Sequence, residues 1–153
     1  MPGIHQVRRL PWSAEQMFDL VADVRRYPEF LPWVVATRVR RDDEREMIAD
    51  MLVGFRTVRE TFTSRVVKRR PDAVLVTYID GPLRDLENRW LFRPLAGGGC
   101  ELEFEVDFEF RVRVLERLAG QFFDSAFRRM VSAFEARAAA LYGSSSSSAT
   151  SAA

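Results

Sequence analysis

Cysteine, histidine and lysine are almost missing from this chain. Its 153 residues include one cysteine (Cys100), one histidine (His5) and, among 23 lysines and arginines, one lysine (Lys68). A single cysteine closes no internal disulfide and builds no zinc site, which suits a reducing cytoplasm. His5 falls on a poor N-terminal strand, so a Ser-His-Asp arrangement lacks a credible centre. Metal-ligand clusters and phosphate-cradling glycine patterns are absent as well. Gly97-Gly98-Gly99 reads as a flexible hairpin turn. The first residues carry no signal-peptide run, and no window approaches the roughly 18 apolar residues of a spanning helix. A net charge of +1 makes no global case for nucleic acid or for an acidic membrane. These gaps exclude most catalytic chemistry and imply no catalytic cofactor, no metal and no DNA partner. The expectation is a soluble, cytoplasmic binding protein.

What is present is patterned. Hydrophobic residues make up 47% of the chain and aromatics 12%, which excludes a disordered polymer. From Cys100 to Phe110 every even position is apolar and every odd one between them is acidic. Such a strand has one dry face and one charged face, and belongs in an antiparallel sheet covered on one side. The cover follows directly, a helical pattern from about Val112 to Tyr142. Its stripe is Leu115, Leu118, Phe122, Ala126, Met130, Phe134, Ala138 and Leu141, widened by Ala119, Phe123, Phe127 and Val131. Gly120 interrupts the stripe as either a bend or a close backbone contact.

Upstream, Ile4–Leu10 reads as an edge strand. Ser13 with Gln16 forms a capping box for a helix over Ala14–Asp23. Pro28 and Pro32 then break the aromatic segment Tyr27–Trp33 into turns. Period-two runs predict strands near 34–41, 46–55, 58–68, 73–79, 86–94 and 100–110, joined by short turns. No gap holds a crossover helix, so the strands form a meander. Residues 1–142 are expected as one α+β domain, a curved sheet wrapped on its last helix. Residues 143–153 form a Gly/Ser/Ala-rich tail too polar to order itself.

Three sequence segments carry most of a resemblance. They are Asp23-Val24-x-x-Tyr27-Pro28-x-Phe30-Leu31-Pro32-Trp33, Arg59-Glu60-x-Phe62-x-Ser64-Arg65-Val66, and Gly81-Pro82-Leu83-x-x-Leu86-x-Asn88-x-Trp90-x-Phe92. Val53-Gly54-Phe55, Phe104-x-Val106-x-Phe108-x-Phe110 and Phe134-Glu135-x-Arg137 complete the order. In that order and spacing the chain resembles the START-like helix-grip superfamily. Within it, the chain is similar to the coenzyme Q-binding protein family, whose bacterial members are also labelled ribosome association toxins. The resemblance implies a hydrophobic cavity for ubiquinone or a similar isoprenoid lipid, held without turnover in support of respiration. It also brings an alternative partner, the large ribosomal subunit, and a peripheral place at the inner membrane. A polyketide cyclase/aromatase-type enzyme is the third and weakest reading.

Register assigns candidate roles. Glu60 and Asn88 fall on the apolar face, where buried polar groups need partners. They line either the polar end of a cavity or the sheet's rim. A quinone offers only acceptor oxygens, so Asn88, the Trp90 indole and the Tyr78 hydroxyl are the useful donors. Trp33, Phe55, Phe62, Phe92, Phe104, Phe108, Phe127, Met130 and Phe134 suit a lipid tunnel, and suit a packed core equally. Periodicity does not separate a lined void from a filled one; the resemblance favours the void. Its mouth is expected at Tyr27, Pro28, Phe30, Pro32, Pro82, Leu83 and Leu86. Arginine clusters near Arg65–Arg70 and Arg38–Arg41 are interleaved with acids and read as a solvated rim.

Overall fold

The structure is a computed structural model describing residues 3–55 and 58–143; the side chains of Phe55, Val58 and Leu115 lie outside that description, as does the tail expected beyond Gly143. The strands are β1 (Gly3–Leu10), β2 (Val34–Asp42), β3 (Glu46–Phe55), β4 (Val58–Arg69), β5 (Ala73–Asp80), β6 (Leu83–Pro94) and β7 (Cys100–Phe110). They form one sheet in the order β1-β7-β6-β5-β4-β3-β2, with every pairing antiparallel. Register shifts in β2, between Thr63 and Ser64, and between Leu83 and Asp85 mark irregularities of the kind that bend a strand and tighten its twist. The sheet therefore curls rather than lying flat.

Local chemistry explains the helices. In α1 (Ala14–Ala22) the Gln16 N–H donates to Ser13 Oγ at 3.0 Å, and the Ser13 N–H donates back to Gln16 Oε1 at 2.9 Å. Beyond it, Val24–Glu29 forms a 3-10 turn that carries Pro28 and buries Val24 and Tyr27. The last helix, α2 (Arg113–Tyr142), ends at Gly143, whose positive φ of 82° favours glycine.

The alternation in β7 holds throughout. Cys100, Leu102, Phe104, Val106, Phe108 and Phe110 are all buried. The helical stripe is phased differently from the expectation. Ala119, Phe123, Ala126, Val131, Phe134 and Ala138 are buried, whereas Leu118 is 64% and Leu141 50% exposed. Steps of four residues overshoot the 3.6-residue turn, so a 126–122–118 line drifts off the buried face. Phe122 is half-buried and Leu118 is out. Leu141 belongs to the final turn of a helix about 45 Å long. There Trp12 Nε1 donates to the Gly143 carbonyl at 2.8 Å and the Tyr142 hydroxyl to the Gln16 carbonyl at 3.2 Å, tying that end to α1 and its entry.

Gly120 makes no close contact of the kind that requires glycine: the helix continues through it, and an added Cβ would meet Glu116 and Phe110 at ordinary distances of 3.7 and 3.9 Å.

Candidate functional site

The concave face of β2–β6 and the underside of α2 do not meet everywhere. They leave a hollow of about 120 Å³, roofed at one side by the segment after α1 through Val24, Tyr27, Leu31 and Trp33. Its wall includes small side chains: Ala49 and Ser64, cross-strand neighbours on β3 and β4, and Ala126 from α2.

Several residues singled out from the sequence border this hollow: Trp33, Phe62, Trp90, Phe127, Met130 and Phe134, together with Asn88, Tyr27 and Leu86. Others lie elsewhere. Phe92 is buried against Phe18 of α1, their ring centroids 6.2 Å apart. Phe104 lies under Trp90 at 4.6 Å, and Phe108 packs on Phe127 at 5.1 Å. Among the expected mouth residues, Leu83 is fully buried as the first residue of β6, and Pro32 is exposed. Pro28 and Pro82 are half-buried and outside the lining. Phe30 packs on the outside of Phe134 at 5.0 Å. Phe55 lies outside the described side chains. Lining residues that the sequence reading passed over include Ala49, Met51 and Val53 of β3 and Val74 and Val76 of β5. The period-two run Met47, Ala49, Met51, Val53 carried that signal.

The polar groups are largely committed to one another. Asn88 Nδ2 donates to the Glu105 carbonyl at 3.0 Å, and Asn88 Oδ1 accepts from Trp90 Nε1 at 2.9 Å. The indole donor expected for a ligand is therefore spent on Asn88, which keeps one amide hydrogen in reserve. The Tyr78 hydroxyl accepts the Leu83 N–H at 2.8 Å, pinning the β5–β6 turn, and Tyr78 does not border the hollow. Burial is the main reason its phenol is held above the ordinary range. Glu60 is half-buried opposite Val53 at the hairpin end and also stays outside the lining. The Tyr27 hydroxyl donates to the Val21 carbonyl. Burial first, and the charge of Asp23 second, push that phenol far up. No charged side chain lines the hollow among the described residues.

The roof is fastened to α2 from outside. Arg137 reaches Glu29 at 2.5 Å while its guanidinium lies 5.0 Å from the Phe30 ring centre, and Arg129 lies 5.5 Å from that of Trp33. The hydrogen bond from Arg137 holds the Glu29 carboxyl below the usual carboxylate range. Away from the hollow, His5 pairs with Glu103 at 2.6 Å on the outer face. Burial pushes the Cys100 thiol up to about 11. No group of three or more His, Cys, Asp or Glu gathers among the described residues as metal ligands would. Part of the basic rim is ion-paired: Arg65 with Glu46 at 3.0 Å, Lys68 with Asp42 at 2.5 Å, Arg70 with Asp19 at 2.9 Å. No helix of the described residues is long and apolar enough to cross a membrane.

A curled antiparallel sheet gripping its last helix around an apolar hollow is the START-like helix-grip architecture. The chain belongs to the family described as polyketide cyclase/dehydrase and lipid transport, whose model matches residues 10–135. It is 37% identical to the ribosome association toxin RatA of Escherichia coli K12 over 142 residues, 93% of this chain and 90% of that one. It is 38% identical over 138 residues to the coenzyme Q-binding protein COQ10 homolog B, mitochondrial, of Xenopus laevis, covering 88% of this chain and 57% of that one. The solution structure of CC1736 from Caulobacter crescentus superposes with a TM-score of 0.71 at 33% identity, covering 94% of this chain and all of that one.

Proposed function

We propose that the protein holds an isoprenoid lipid of the ubiquinone type in this hollow and carries or shields it, in support of respiration, without altering it chemically. The observation that carries the reading is the hollow itself. It is about 120 Å³ of largely apolar space between the sheet and the last helix. Protein interiors are ordinarily packed as densely as organic crystals, so a void of this size has a stability cost unless something fills it. With no charged side chain among the described residues of the wall, the occupant is neutral and mostly hydrocarbon. Ser64 and the spare amide hydrogen of Asn88 are the donors left for an oxygen-bearing ring. The name of the Xenopus relative supports the same ligand class. Ligand sites usually measure roughly 300–1,000 Å³, so this hollow takes one ring or a short length of tail. A longer chain displaces the Tyr27–Trp33 roof. Among the described lining residues there is no carboxylate, histidine or lysine for acid–base work, which favours binding over turnover.

Gentle purification, solvent extraction and mass spectrometry test the reading directly. The expected result is a prenylated quinone or related isoprenoid in near-stoichiometric amount. Protein that emerges free of lipid from lipid-replete cells overturns it.

A second reading, association with the large ribosomal subunit, is favoured by the similarity to RatA across nearly the whole chain. Arg38, Arg41 and Arg69, exposed and outside the ion pairs among the described residues, are the groups available for RNA phosphates. Co-sedimentation with large subunits at low salt separates this reading from the first.

A further inference from the structure

At the start of α2 the molecule turns apolar side chains outward. Val112, Val114 and Leu118 are 54%, 66% and 64% exposed, in a chain where Val7, Val35 and Ile79 are exposed singly along the strands. Val114 and Leu118 are one turn apart and so lie on one face. The next step along that face is Phe122, which lines the hollow. An apolar track therefore runs from the outer surface of the helix start to the interior. Around it stand Arg111, Arg113 and Arg117, exposed and outside the ion pairs among the described residues, against one acid in the same stretch, Glu116.

We propose that this edge docks on an anionic phospholipid surface. Val112, Val114 and Leu118 enter the headgroup layer, and the arginines meet the phosphates. Two features fit a bilayer better than another macromolecule. The exposed side chains are aliphatic and form a short convex ridge, whereas single-stranded nucleic acid is gripped by aromatic platforms in a groove. Arginine also suits an apolar–polar boundary, because its stem lies along hydrocarbon while its guanidinium stays at the phosphates. Docking here brings the end of the hollow beside Phe122 to the membrane, where a neutral lipid would enter or leave. The docking rests on exposed residues alone and does not require the proposed occupant.

Flotation of the full chain with vesicles tests it, comparing pure phosphatidylcholine with phosphatidylcholine containing phosphatidylglycerol. Binding to the anionic vesicles is expected, weakened by salt and nearly lost on the neutral ones. The double substitution V114E/L118E is expected to reduce binding about tenfold, and R113Q/R117Q to reduce it and flatten its salt dependence. All four positions are exposed, so unchanged thermal unfolding is expected and serves as the folding control. No binding to anionic vesicles overturns the proposal. So does binding that follows the arginines and ignores the two glutamates, because that is the behaviour of a polyanion site for RNA. Lipid extraction from V114E/L118E separates the two proposals. An occupied hollow in a chain that no longer floats leaves the ligand reading intact; an empty hollow in a chain that floats removes the ligand reading alone.

Discussion

Replacing Phe134 with alanine is expected to lower the thermal midpoint by on the order of 10 °C. Phe134 is fully buried in the C-terminal half of α2, and three rings meet it at edge-on angles: Trp90 at 4.9 Å, Phe30 at 5.0 Å and Tyr27 at 5.3 Å. These rings come from β6 and from the roof segment, so one side chain ties the helix to the sheet and to the lid over the hollow. Truncating a buried phenylalanine costs about 3–5 kcal/mol, and about 2–4 °C of midpoint accompanies each kcal/mol at this chain length. The loss falls at the high end here because Phe134 already borders empty space, leaving few neighbours able to collapse into the gap. Leu141→Ala is the matched control. Its side chain is half exposed, so a change within about 0.5 kcal/mol is expected. Denaturation of the two variants side by side decides the matter. Equal shifts would mean that the helix is phased as the simple four-residue stripe suggests.

That contrast also shows where the sequence was readable. The alternation from Cys100 to Phe110 could have only one geometry, because a shift of one residue would bury five acids. The Ser13–Gln16 box was equally plain, since two side chains at that spacing answer each other's backbone groups and little else. The hollow was different. Register puts Phe62 and Trp90 on the inner face and the helical stripe puts Phe134 there, but whether they fill a space depends on the other residues around it. Ala49, Ser64 and Ala126, which share that wall, attract no notice in a sequence. A void is a deficit of volume between elements distant in the chain, and no local pattern encodes it. The fate of Asn88 was legible in principle. Residues two apart on a strand share a face, so Asn88 and Trp90 were neighbours from the outset, and their mutual hydrogen bond competes with any ligand. Leu118 leaves the buried face because a spacing of four overshoots the 3.6-residue turn and drifts over successive turns. The drift leaves an exposed apolar ridge where a buried one was expected.

Because Ala49 lines the space with a small side chain, refilling it from the wall is the sharpest test of what the space is for. Ala49→Phe places a phenyl ring into a hollow of about 120 Å³, beside a benchmark in which a cavity of roughly 150 Å³ takes up benzene. The ring nearly fills the space. Overpacking of this kind costs about 1–3 kcal/mol, which a domain stable by about 5–15 kcal/mol survives. The variant is therefore expected to fold and to lose its lipid, with extracted isoprenoid per mole of protein falling about tenfold, equivalent to about 1.4 kcal/mol of binding. Ala49→Ser, which barely changes the volume, is expected to keep it. The ratio of lipid to protein by mass spectrometry, read beside thermal unfolding, checks both variants. A folded Ala49→Phe protein carrying a full complement of lipid would place the ligand outside this hollow. The spare amide hydrogen of Asn88 and the Ser64 hydroxyl would then have no ligand role, and the hollow would be a packing defect tolerated at some cost in stability.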